Sequence, residues 1–315
     1  MLIWQLKSPG EILNQLKMNK NLLLLLTGLF IYSGCNSENN MASAPTPIII
    51  KKKADYNTNQ PYYQLDFKAA FCRFEVAVND VTVFNMSIAG QTSSFIPINA
   101  AISQSGKQAI VVKVYPLNGE KALHRSAEFS YNIKVFDALK QLEFKEQLSG
   151  EYAIPKIDPA KKIPFLTQSA FFVANVPYNI ISYQDGADLR RITNLKDKLQ
   201  GAYQQLARII ANKEMGKLQK LIANREHVVG VTMYLNKEET EARIKGLTRD
   251  LGAGFKLLPI PSDAIIKISG NGKLASLVKP NGDAAITLIN TQTEEEMNLE
   301  FSFYIPKGKT ELEII

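Results

Sequence analysis

Cysteine and histidine are nearly missing from this chain, whose 315 residues hold two of each. That scarcity removes whole classes of chemistry. His124 and His227 lie far apart, and neither belongs to a His-x-x-x-His, His-x-Glu or Cys-x-x-Cys spacing, so the common zinc arrangements have nothing to build on. No Gly-x-Ser-x-Gly elbow presents a serine nucleophile. Charge of one sign is not concentrated either. The formal net charge of +7 is spread along the chain without a recognisable nucleic-acid module, which speaks against nucleic acid as a partner. No apolar run reaches the ~20 residues of a membrane-spanning helix; the run Leu22–Tyr32 is about half as long.

The chemistry-bearing residues that remain each have a plain structural reading. His227 follows Arg225-Glu226 at an expected helix end and reads as a charge partner of that terminus rather than a base. His124 falls in a polar hairpin loop. Cys72, between Phe71 and Phe74 in a strand pattern, reads as a buried small hydrophobe rather than a nucleophile. Ser269-Gly270-Asn271-Gly272-Lys273 and Gly252-Ala253-Gly254 do not join a strand to a helix as a phosphate loop must, so they read as turns. Glu294-Glu295-Glu296 has no EF-hand spacing and reads as a solvated loop. Tyr62-Tyr63, near Tyr56 and Pro61, reads as core or edge packing before it reads as an aromatic contact surface. No catalytic, cofactor-binding or metal-binding residue is assigned.

What the N-terminus does contain is a basic residue, Lys20, then the apolar run, then Tyr32-Ser33-Gly34-Cys35. The length of the run suits the central region of an export signal. Its ending resembles the lipobox of bacterial lipoproteins, with Tyr32 standing where that family usually carries Leu. The resemblance implies a signal peptide over 1–34, lipidation of Cys35 after cleavage, and attachment to a membrane through that lipid. It places the protein in the bacterial cell envelope. Asn36 is not the Asp that retains enteric-type lipoproteins at the inner membrane, so the implied destination is the outer membrane, facing periplasm or cell surface. Met18-Asn19-Lys20-Asn21 looks like the true start of such a signal, with 1–17 a mis-assigned extension. If Cys35 is acylated, Cys72 stands alone and stability must come from core burial rather than a disulfide.

Residues 35–60 are polar, with Ala-Pro-Thr-Pro and Lys51-Lys52-Lys53, and read as a lipidated tether whose Ile48-Ile49-Ile50 suits a short added strand. The lysines suit anionic headgroups but read first as a solvated linker. From Tyr62 the period becomes two. Tyr63, Leu65 and Phe67 alternate; Phe71–Val78 follows, and Asn79-Asp80 turns the chain into Val81–Phe84 as a hairpin. Further strand patterns fall at Phe95–Asn99, Ala109–Pro116 and Ala127–Phe136. Roughly six or seven strands at short spacing predict an N-terminal antiparallel β-sandwich over 61–183. The stretch Ile96-Pro97-Ile98-Asn99 through Ser105-Gly106-Lys107-Gln108 to Val114 resembles the strand-turn-strand of galactose-binding-like jelly rolls. That resemblance implies the architecture and no sugar-binding residue.

Residues 137–167, with Pro155, Pro159 and Pro164, read as a linker that opens with a short helix near Asp137–Gln147. Ala170–Tyr178 reads as a strand ending at Pro177, which completes the first domain or opens the second. At Asp188 the period changes. Leu189, Ile192, Leu195, Leu199, Ala202, Tyr203, Leu206, Ile209 and Ile210 form a helical stripe, with Asp188 as N-cap. Helices are also predicted over Lys213–Arg225 and from Asn236, whose Asn236-Lys237-Glu238-Glu239 suits a capping box, to near Gly252. An antiparallel meander follows through Ala264–Ser269, Lys273–Lys279, Ala284–Asn290 and Met297–Ile305. The expected class is α+β, with helices then a meander over 184–315. This element order is similar to nuclear-transport-factor-2-like domains, which implies a curved sheet wrapping a pocket over helices.

Together these readings predict a non-enzymatic binding or interaction module held at a membrane, with a protein or glycan partner. The alternatives are an envelope hydrolase with a pocket in the C-terminal domain, and a periplasmic inhibitor or immunity-type lipoprotein.

Overall fold

A computed structural model of the chain describes residues 49–52, 60–148, 152–252 and 254–315. The expected signal peptide, Cys35 and most of the tether lie outside these residues. The chain divides into two compact units, Ile50–Ile180 with Thr232–Tyr234, and Ile181–Val231 with Leu235–Ile315. The chain mixes helix with a larger share of strand, and the three larger sheets are antiparallel.

The first unit is a seven-stranded sheet organised by one long hairpin. After β1 (Ile49–Lys52), which lies in the stretch expected to add a short strand, β2 spans Pro61–Val78 and β3 Val81–Pro97. They join through Asn79 and Asp80, both with positive φ, the backbone that a two-residue hairpin turn demands. The two separate runs expected in each of these stretches are single strands. What hid this in β2 is a bulge. Phe71 has φ +46° and no partner in the ladder, and across it the buried positions change from odd (Tyr63, Leu65, Phe67, Ala69) to even (Cys72, Phe74, Val76, Val78). One extra residue restores the same physical face to the core after the phase slips.

The bulge also bends the strand. Phe67 and Phe74 would stand about 23 Å apart on a straight strand, yet their ring centroids are 5.2 Å apart. On the side away from β3 the ladder forks at the same place. β4 (Gly106–Tyr115) pairs with Arg73–Val78, and β5 (Glu128–Asp137) pairs with Pro61–Ala70. β5 then carries β6 (Glu143–Gln147) and β7 (Tyr152–Ala153), while β4 carries β8 (Leu166–Ala174). The predicted helix near 137–147 is one 3-10 turn, Ala138–Lys140, capped by the Asp137 carboxylate on the Leu139 amide. Positive φ at Gln141 and Leu142 ends it. The 137–167 linker therefore contains two strands. β9 (Tyr178–Ile181) follows Pro177 and pairs with β1.

The second unit builds its core between helices and two small sheets. α1 is Leu195–Ala211, and Leu195, Leu199, Ala202, Tyr203, Leu206, Ile209 and Ile210 are buried as the stripe predicts. It starts later than expected. Asp188 caps a separate 3-10 turn, Leu189–Arg191, accepting the Arg190 amide. α2 (Met215–Leu221) and α3 (Ala223–Thr232) replace the single predicted helix, which puts His227 inside α3 rather than at a helix end. α4 (Lys237–Gly252) opens on the predicted capping box: the Asn236 carboxamide accepts the Glu239 amide and Glu239 accepts the Asn236 amide, both at 2.9 Å.

The meander is divided between two sheets. One is β10 (Lys256–Leu257), β13 (Ile286–Asn290) and β14 (Glu295–Leu299); the other is β11 (Ile265–Ser269), β12 (Leu274–Val278), β15 (Phe303–Tyr304) and β16 (Glu313–Ile314). Met297–Ile305, expected as one strand, breaks between β14 and β15. At that break the buried Tyr203 hydroxyl donates toward the carbonyls of Phe301 and Leu277, at 3.1 and 3.2 Å, and accepts the Leu277 amide at 2.9 Å. A helix side chain thus satisfies backbone groups where strand pairing lapses. Tyr203→Phe is expected to cost about 1–3 kcal/mol by leaving those groups buried without a partner, read as a lower urea midpoint at unchanged slope.

Candidate functional site

The residues singled out by sequence do not converge. His227 is exposed on α3, while His124, in the other unit, accepts the Ser126 amide at 3.1 Å and packs its ring against Phe71. Glu295 accepts from the Thr293 hydroxyl, Glu296 from the Asn298 carboxamide with Lys279 at 3.9 Å, and Glu294 is exposed in the turn. Among the described residues no three His, Cys, Asp or Glu side chains gather as a metal site would require. Ser269–Lys273 joins β11 to β12, strand to strand. Gly270 and Gly272 have positive φ there, and Arg190 lies against Gly272 where a Cβ would stand. Tyr62 and Tyr63 are core residues; the Tyr63 hydroxyl accepts the Asn175 amide at 2.7 Å.

Cys72 is fully buried and its thiol faces the Glu128 carbonyl. Burial pushes its pKa up to about 11, with a backbone hydrogen bond at Ala70 pulling the other way. At pH 8 the folded chain is expected to protect this thiol from iodoacetamide, and denaturant to release it at the rate of an ordinary cysteine. Rapid labelling under native conditions would contradict the burial.

Side chains do converge on the outer face of the β4–β8 ladder. The register sets Lys107 beside Val173, Ala109 beside Phe171, Val111 beside Ser169 and Lys113 beside Thr167, and places Arg73 of β2 beside Tyr115 of β4. Phe171 and Val173 are 59% and 69% exposed, and Phe165, just before β8, is exposed as well. The Lys107 ammonium lies 3.7 Å from the Phe171 ring centroid, and the Arg73 guanidinium 4.2 Å from that of Tyr115, whose ring tilts against Phe165. Burial first, and Glu75 second, raise the Tyr115 pKa against the pull of Arg73. The result is a row of exposed apolar rings with cations laid over them.

Each such contact is worth ~0.5–1 kcal/mol at an exposed site. That does not repay leaving two large apolar groups in water, at about 1.5–3 kcal/mol apiece. Exposed aromatics beside arginine and lysine have the composition of a contact surface. The sequence carries a signal for this face. In Ala170-Phe171-Phe172-Val173-Ala174 both parities are apolar, and a strand in a sheet with one solvated face can bury only one of them. Phe172 and Ala174 took the core, which left Phe171 and Val173 outside.

Comparison with family models, with curated proteins and with solved structures finds no match to this chain. Among the described residues no helix is long and apolar enough to cross a membrane.

Proposed function

We propose that this chain is a lipid-anchored protein of the bacterial envelope, acting as a non-enzymatic interaction module through the outer face of β4 and β8. The observation that carries the module reading is the cluster of Phe165, Phe171, Val173 and Tyr115 with Lys107 and Arg73. Its chemistry suits a protein surface that offers apolar groups ringed by carboxylates. The anchor is supported by the run Leu22–Tyr32 ending at Ser33-Gly34-Cys35, with an outer-membrane destination from Asn36. In this reading the first unit is a sandwich whose two layers share β2 and β3 across the bend at Phe71.

Crosslinking and affinity capture from native membranes test the module. The chain is expected to retain one protein partner that Phe171→Ser with Lys107→Glu loses. Retention of the same partner by that double variant would move the site elsewhere. Palmitate labelling tests the anchor separately. Label is expected in the unaltered chain and none in Cys35→Ala; no label in either would remove the anchor while leaving the face untouched.

A further inference from the structure

The edge of β8 is a second feature of the same strand, distinct from its outer face. A strand paired on one side only presents unpaired N–H and C=O groups at every second residue along the other side. Proteins blunt such edges with charges, prolines or bulges, because an unprotected edge is a template for another strand. Among the described residues the sheet of the first unit has four edge strands, β3, β6, β7 and β8; β7 is only two residues long, and β6 and β3 are blunted. β6 carries Glu143, Lys145 and Glu146 within five exposed residues. β3 has no charge, but its ladder to β2 is irregular in two places, one where Ala89 and Gly90 lie unpaired opposite the Phe71 bulge.

β8 carries none of these devices. Leu166-Thr167-Gln168-Ser169-Ala170-Phe171-Phe172-Val173-Ala174 contains no charged residue and no proline. Its register with β4 runs without a shift from Val114 opposite Leu166 to Gly106 opposite Ala174. Nine residues exceed the common strand length of about 5–6. Among the described residues β4 is its only strand partner.

We propose that β8 pairs edge to edge, antiparallel, with β8 of a second copy of this chain, joining two sheets into one. The argument for a copy rests on charge. An uncharged strand offers no ion to select a charged partner, and paired with itself it brings no like charges opposite one another. A two-fold register centred on Ala170 sets Ser169 opposite Phe171 of the partner subunit and Thr167 opposite Val173 of the partner subunit. The exposed rings of both copies then form one continuous apolar row on the outer face. The two-fold also uses up both β8 edges, so the assembly closes as a dimer. This inference shares a strand with the interaction face proposed above, but it concerns the backbone edge and is read by mass rather than by partner capture.

The test is sedimentation equilibrium of the full chain in density-matched detergent. The expected result is a mass that rises with concentration toward twice the monomer. Ser169→Pro and Ala170→Pro locate the contact. Neighbouring residues of an edge strand direct their N–H groups to opposite sides, so one proline breaks the ladder to β4 and the other blocks only the free edge. The variant that keeps the unaltered near-UV circular dichroism is expected to weaken the dimer at least about tenfold. Thr167→Lys, at an exposed position, adds the lysine that natural edges use and is expected to do the same. A chain monomeric at every concentration overturns the proposal. So does a dimer that persists in Thr167→Lys and in the folded proline variant.

Discussion

Glu226→Gln is expected to lower the stability of the helical unit by about 3–5 kcal/mol, out of the ~5–15 kcal/mol typical of a domain. The carboxylate is 2% exposed and lies between two guanidinium groups, those of Arg225 in α3 and Arg243 in α4. Arg243 Nε donates to Glu226 Oε2 at 2.7 Å, and Arg225 Nη1 donates to the other oxygen. Burial works against the charged carboxylate, yet the two cations outweigh it and hold the pKa of Glu226 below the usual glutamate range. Removing the charge leaves two buried cations facing a neutral amide, the configuration that costs most. Arg243→Met is expected to cost less than half as much, although it breaks the same 2.7 Å contact. Glu226 then keeps Arg225 as its counter-charge, and the Arg243 Nη1 group, which has no hydrogen-bond partner among the described residues, is removed as well. Equal losses in urea unfolding would mean that the cluster does not work by charge compensation.

The same triad fixes a direction in pH. A carboxylate whose folded pKa lies below its unfolded value of ~4.3 contributes stability that is fully present above that value. The contribution fades as pH falls through the lower folded pKa. The helical unit of the unaltered chain is therefore expected to lose stability below about pH 4, and the difference between unaltered chain and Glu226→Gln to shrink in that window. A difference that stays constant down to pH 2 would place the protonation elsewhere.

None of this triad was legible in the sequence, for a local reason. α3 reads poorly as a helix because Val228-Val229-Gly230-Val231-Thr232 is β-branched around a glycine, and both features disfavour helix. Local pattern accordingly puts Arg225-Glu226-His227 at a helix end, and of these three the histidine is the exposed member. The α1 stripe, by contrast, was legible residue by residue, since its burial follows directly from a 3.6-residue period. So were the Asn79-Asp80 turn and the Asn236 capping box, where a few adjacent residues determine the geometry. The boundaries that failed depend on distant partners. β14 and β15 separate where Tyr203 of α1 reaches the backbone, and no local pattern between Met297 and Ile305 reports that. The β8 face was half legible: its double-parity apolar run was visible, but which parity is solvated depends on which face of the β4–β8 ladder the core covers.

Phe74→Ala is the second large loss, expected at about 3–5 kcal/mol. Phe74 is fully buried, with ring centroids at 4.7 Å from Phe129, 5.2 Å from Phe67 and 5.8 Å from Phe84. Those three rings come from separate parts of the folded sheet: β5, the far side of the bend in β2, and β3. Truncation therefore opens a cavity where the two halves of β2 meet, and the walls cannot close it without moving the bulge at Phe71. A site unable to collapse lies at the upper end of the range for such substitutions. Phe84→Ala, only part-buried at the rim of the same cluster, is expected to cost clearly less, and Phe74→Leu to fall between the two. The bend gives the series a second readout. Loss of Phe74 removes the contact that holds the halves of β2 together, so amide exchange is expected to quicken on both sides of Phe71, at Phe67–Ala70 as well as Cys72–Val76. Exchange that quickened only in Cys72–Val76 would mean that the bulge alone sets the bend and the aromatic cluster merely fills it.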